Sequence, residues 1–143
     1  MEESELLMTL RIAVTGAEKV ESDTMTVQMV FFGGTAEGLY FTGTIGPGGV
    51  DTQRYPAGGK GTLSARYMLS GTDCEGRACR MFIENNTAAG ADDGRTEPHI
   101  VTDSDALRWM ERARLYGTVS VESGSPVIRI FRMPQDVGGS RAV

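Results

Sequence analysis

Asp51 and Gln53 stand two residues apart, directly downstream of Gly48-Gly49. On a strand, both side chains leave the same face. A carboxylate and an amide at one end of an apolar enclosure would suit proton transfer, because desolvation there moves a carboxyl pKa up toward the useful range. The competing role for Asp51 is to accept backbone N–H groups from the glycine turn and pin it. Tyr67 offers a phenol that donates to a carbonyl oxygen if it faces a pocket, or fills the core if it does not. His99 is the single histidine, so it alone titrates near neutrality when unperturbed. If His99 shared a rim with Asp51, the two would form the best acid/base pair in the chain. Asp51, Tyr67 and His99 are therefore the candidate catalytic residues.

Gln53, Asn85, Glu84, Arg66 and Trp109 are the candidate ligand contacts. Arg66 adjoins Tyr67 and so faces the other way, where it can pair with an acidic neighbour. Glu84 and Asn85 divide between two faces in the same manner. Asn85 falls in register with Met81 and Ile83, at the end of an apolar stripe, where it either bonds a ligand or terminates the strand.

Several other chemistries lack their motifs. Gly33-Gly34-Thr35-Ala36-Glu37-Gly38 is not the dinucleotide fingerprint, and Gly58-Gly59-Lys60-Gly61 lacks the flanking residues of a phosphate loop. Asp92-Asp93-Gly94 is too short of oxygen ligands for calcium, and no serine sits in a nucleophile elbow. Cys74 and Cys79 with one distant histidine do not make a zinc site. They either close a small disulfide loop or remain two free thiols, as a reducing compartment favours. No cofactor and no metal are expected.

The elements that must position these residues are strands. Leu6, Met8, Leu10, Ile12 and Val14 alternate with polar neighbours, and so do Met25, Val27, Met29 and Phe31. Leu39, Phe41 and Ile45 follow, then Leu63, Ala65, Tyr67 and Leu69. Further runs cover 80–85, 98–102, 115–121 and 126–132. Short alternating runs with frequent turn signals predict an all-β, antiparallel barrel of about 8–9 strands. Gly46-Pro47-Gly48-Gly49 is expected to interrupt a strand, and Ser123-Gly124-Ser125-Pro126 to make a short hairpin. One short helix is expected near 103–114, capped by Asp103 or Ser104, with Leu107 and Met110 on its apolar face. A mobile loop at 88–96 and a frayed tail at 135–143 complete the reading, leaving one domain over 3–134.

At 143 residues the chain suits one domain. Its net charge of −5 disfavours nucleic acid and anionic membranes as partners. The acidic start Met1-Glu2-Glu3-Ser4-Glu5 is unlike a secretory signal, and no apolar stretch is long enough for a membrane helix. A cytoplasmic protein is expected, with homodimerisation on general grounds.

The glycine-rich half carries a resemblance. Gly33, Gly34, Gly38, Gly43, Ile45, Pro47, Gly48, Gly49, Asp51, Gln53, Ala65, Arg66, Tyr67, Ile83 and Asn85 form a pattern similar to the domain-of-unknown-function 3237 family of small bacterial proteins. The chain departs from that pattern at Thr52, where many members have tryptophan, and at Asp73-Cys74-Glu75-Gly76. The resemblance implies a closed or nearly closed antiparallel barrel with a central pocket, and it implies no reaction.

Three functions are compatible with these residues. The first is a barrel that binds a small hydrophobic or aromatic ligand. The second adds cofactor-independent isomerase, cyclase or lyase chemistry on a hydrophobic carbonyl substrate. The third is a non-catalytic subunit or interaction module.

Overall fold

In the computed structural model, which describes residues 3–87 and 94–134, the alternating runs fold into eight strands. These are β1 (Glu5–Glu21), β2 (Met25–Glu37), β3 (Phe41–Pro56), β4 (Thr62–Asp73), β5 (Ala78–Thr87), β6 (Thr96–Thr102), β7 (Leu115–Glu122) and β8 (Ser125–Arg132). Each pairs antiparallel with the next, and β1 returns to pair with β8, so the sheet shuts into a barrel. The all-β barrel read from the sequence is the architecture found. Most of the loop expected at 88–96 and the tail expected at 135–143 lie outside the described residues, as do Met1 and Glu2.

The two ends of the barrel differ. At one end the interior is filled by fully buried Leu7, Met8, Phe41, Leu69, Met81 and Ile130. A 3-10 helix, Asp105–Glu111, plugs that end with Leu107 and Met110. It is shorter and tighter than the helix expected at 103–114. Its N-cap is Ser104, whose Oγ accepts from the Leu107 N–H at 3.3 Å. The opposite end, reached by the later half of β1, β3, β5 and β7, stays partly hollow.

Local departures from simple alternation have identifiable causes. A register shift between Leu6 and Met8 turns Leu6 outward, 43% exposed, and buries Leu7 instead. Leu39, expected on an inner face, lies in the β2–β3 turn and is 83% exposed. Gly46-Pro47-Gly48-Gly49 does not end a strand: β3 runs through it as a wide bulge, with register lost between Ile45 and Val50. Gly48 permits the detour, with a φ of 99°. The expected short hairpin is present as a two-residue Ser123-Gly124 loop, φ 53° and 82°, between paired Glu122 and Ser125. Positive φ at both positions matches the twist of the flanking strands.

Beyond Arg11, β1 pairs only with β2 among the described residues, so its exposed half to Glu21 is an open edge of the sheet that continues through β2, β3 and β4. Cys74 is exposed and Cys79 buried, and both are free thiols. No helix among the described residues is long and apolar enough to cross a membrane.

Candidate functional site

The hollow end contains a cavity of about 250 Å³. Its walls are mainly apolar, with Ile12, Val30, Phe32, Leu63, Ala65 and Ile128 among them, and four polar residues join them: Asp51, Gln53, Asn85 and Thr96. The register explains how they meet. Asp51 lies opposite Ala65, and Ala65 lies opposite Asn85, so the three form one inward row across β3, β4 and β5. Neighbours in such a row are roughly 5 Å apart, which sets Asp51 and Asn85 on either side of a methyl group. The small Ala65 side chain leaves the space between them open.

Asp51, Gln53 and Tyr55 follow one another on the same face of β3. Tyr55 Oη donates to Gln53 Oε1 at 2.9 Å, and Gln53 Nε2 donates to Asp51 Oδ2 at 3.0 Å. This chain fixes the amide so that its NH₂ meets the carboxylate. Asp51 Oδ1 is sealed from solvent and has no hydrogen-bond partner among the described residues.

The other polar wall repeats that condition. Asn85 is 5% exposed and Thr96 7%, yet Asn85 Oδ1 and Thr96 Oγ1 are buried without a partner among the described residues. They adjoin Gly117, the residue paired with Thr96 across β6 and β7. A Cβ on Gly117 would stand 2.4 Å from Thr96 Oγ1 and 3.5 Å from Asn85 Nδ2. Glycine therefore makes room for the threonine hydroxyl inside the barrel.

Tyr67 lies one inward step from Ala65 toward the closed end, 2% exposed, with its ring edge-on to Phe32 at 5.3 Å between centroids. Its hydroxyl also lacks a partner among the described residues, and burial pushes the phenol well above its ordinary pKa. Tyr67 sits beneath the cavity rather than on its wall.

The remaining sequence candidates are elsewhere. His99 is exposed on the outer face of β6, because Pro98 and Ile100 on either side of it point inward and are buried. It does not share a rim with Asp51. Arg66 and Glu84 also face outward, as neighbours in the row that ends at His99, and form an ion pair at 3.4 Å. Trp109 belongs to the closed end, edge-on to Tyr40 at 5.2 Å and capped by the Arg132 guanidinium at 4.7 Å. The structure therefore gathers Asp51, Gln53 and Asn85, and separates them from His99, Arg66, Glu84 and Trp109.

Thr96 and Gly117 were not among the residues singled out from sequence. Thr96 falls within the expected loop, although Thr96, Pro98 and Ile100 continue one alternating face. Gly117 inside a strand pattern is itself a signal of close backbone approach. A groove of about 260 Å³ over Met68, Phe82 and Val101 lies on the outer face and contains none of the candidates.

Solved structures share this barrel. A protein of unknown function from Clostridium acetobutylicum ATCC 824 is 24% identical, with a TM-score of 0.75 over 93% of this chain and 100% of the other. An enzyme from Penicillium herquei is 18% identical, with a TM-score of 0.74 over 92% and 94% of the two chains. A beta-barrel like protein from Acinetobacter baumannii AYE is 15% identical, with a TM-score of 0.70 over 92% and 96%. At these identities the likeness extends to the fold alone. No curated protein sequence matches the chain. The family model described as protein of unknown function (DUF3237) matches residues 3–83, from the start of β1 into β5, and the chain belongs to that family.

Proposed function

We propose that the open half of the barrel binds a small, largely apolar molecule through a few hydrogen bonds. One observation carries this reading: Asp51 Oδ1, Asn85 Oδ1 and Thr96 Oγ1 are buried without partners among the described residues, and all three belong to residues lining one apolar cavity. A buried polar group without a hydrogen bond costs roughly 1–3 kcal/mol, so three around one space favour a visitor that satisfies them. A cavity of about 250 Å³ suits a substituted single ring, since roughly 150 Å³ of apolar cavity holds benzene.

Binding of the neutral single-ring fluorophore 4-(dimethylamino)benzonitrile tests this. Wild type is expected to enhance its fluorescence, and Ala65→Phe, which fills the space between Asp51 and Asn85, to abolish the signal while keeping a cooperative melt. Val101→Ser on the outer face is expected to leave it intact. Loss of signal with Val101→Ser but not with Ala65→Phe would place binding outside the barrel and end this reading.

A second reading has its own support. Gln53 holds one oxygen of Asp51 while the other lacks a donor among the described residues, an arrangement suited to moving a proton at a substrate carbon or oxygen. The description of the Penicillium herquei relative as an enzyme agrees with a barrel of this shape supporting chemistry. Asp51 would take a proton from the carbon α to a ketone and return it, with Thr96 donating to the carbonyl oxygen. Deuterium incorporation from D₂O into 2-tetralone is expected to be accelerated by wild type and not by Asp51→Asn. Equal rates with both proteins would remove Asp51 from any such role.

A further inference from the structure

We infer that the natural ligand is a neutral, ring-sized molecule with hydroxyl groups at two sides of an apolar body, one seated between Asn85 and Thr96 and the other on Asp51. The inference rests on the cavity being the binding site. Thr96 carries its polar half. Threonine there packs with its hydroxyl over Gly117, and valine has the same shape, so the barrel gains nothing in packing from the oxygen. The hydroxyl nevertheless sits 93% buried by residue, beside an equally buried amide, and neither Thr96 Oγ1 nor Asn85 Oδ1 has a partner among the described residues.

The types of these atoms define what would satisfy them. An amide oxygen only accepts, whereas a threonine hydroxyl accepts or donates. A ligand hydroxyl answers both, donating to Asn85 Oδ1 and accepting from Thr96. A ketone oxygen would leave the amide oxygen unsatisfied, and an ether would do the same. The torsion at the end of the Asn85 side chain is soft, so its oxygen turns toward a guest at little cost.

Across Ala65, Asp51 Oδ1 presents a second acceptor, with Oδ2 already engaged by Gln53. It calls for a second donor on the ligand. A carboxylate or phosphate on the ligand would meet Asp51 unfavourably, within a chain whose net charge is −5. The rest of the wall, from Ile12 and Val30 to Leu63 and Ile128, demands an apolar body between the two hydroxyls.

Four single-ring probes test the inference by ligand-observed NMR titration: 1,4-dihydroxybenzene, 1,3-dihydroxybenzene, phenol and 1,4-dimethylbenzene, the last matching the diols in size. At least one dihydroxybenzene is expected to bind wild type about tenfold or more tighter than phenol, and 1,4-dimethylbenzene to bind weakest. Thr96→Val and Asn85→Leu, each near in shape to the residue replaced, are expected to cut dihydroxybenzene affinity to the phenol level. Each is expected to leave 1,4-dimethylbenzene unchanged or tighter. If 1,4-dimethylbenzene binds wild type as tightly as the diols and Ala65→Phe blocks it, the cavity is a binding site but the hydroxyl inference is overturned. If the diol preference survives both substitutions, the assignment to Asn85 and Thr96 is overturned. If no probe binds wild type at all, the cavity reading fails and takes this inference with it.

Discussion

The closed and open ends of the barrel treat buried polar groups in opposite ways. At the closed end, Asp73 is 7% exposed and its carboxylate is fully engaged. Oδ1 accepts from the backbone N–H groups of Glu75 at 2.9 Å and Arg77 at 3.1 Å, and Oδ2 accepts from Ser104 Oγ at 2.7 Å. Ser104 in turn caps the 3-10 helix. The first two bonds lock the β4–β5 turn, and the third ties that turn to the plug. At the open end, Asp51, Asn85 and Thr96 each keep a buried oxygen with no partner among the described residues. Buried polar atoms that are satisfied belong to the fold. Those on the cavity wall that are not satisfied are left for whatever enters.

Substitutions at the two ends should therefore separate stability from binding. Phe41→Ala empties the closed end, where the ring is 1% exposed, and is expected to reduce stability by about 3–5 kcal/mol in urea unfolding. Affinity for 4-(dimethylamino)benzonitrile should stay within twofold of wild type wherever the variant is folded. A parallel collapse of affinity would mean that the two ends are not independent.

Acid should attack the closed end through Asp73. The Ser104 hydroxyl, then the Arg77 and Glu75 N–H groups, hold its carboxyl below the ordinary value against the upward push of burial. A depressed native pKa gives stability that is complete above the unfolded value. It is lost as pH falls through the native one, which is below about 3.9. Melting temperature is expected to drop between about pH 4 and 2, and Asp73→Asn to flatten that part of the profile while lowering the plateau. An unchanged slope in the variant would remove Asp73 from the acid response.

Smaller effects sharpen the contrast. Val30→Ala at the half-buried cavity wall should cost only about 1 kcal/mol, yet weaken probe binding several-fold. On the outside, Glu84→Gln removes a partly exposed ion pair with Arg66 and should change stability by no more than about 0.5 kcal/mol, with binding untouched.

Much of the fold was legible because its signal is repeated. Each strand alternates, and eight alternating runs constrain one another even where one is misread. What alternation cannot show is where the count slips by one. The extra residue at Leu7 and the detour at Gly46–Gly49 depend on partner strands that are remote in sequence. The polar half of β1 carries no apolar alternation at all, since only β2 pairs with it. Within the site, Asp51 and Gln53 were readable from their spacing, and Asn85 from its place at the end of an apolar stripe. His99 was singled out by its chemistry alone, and strand parity turns it outward. Thr96 escaped notice because its significance lies in Gly117, which is 21 positions away and reaches it only when the barrel closes.

Thermal melting of Thr96→Val alongside wild type, each with and without saturating ligand or probe diol, tests the central claim most directly. Removing a buried hydroxyl that has no partner among the described residues should stabilise the free protein by about 1 kcal/mol, a rise of roughly 3–4 °C for a chain this size. The same change should erase most of the diol-induced rise in melting temperature. A fall in the melting temperature of the free variant, with the diol effect retained, would show that the hydroxyl serves the fold and contradict the account.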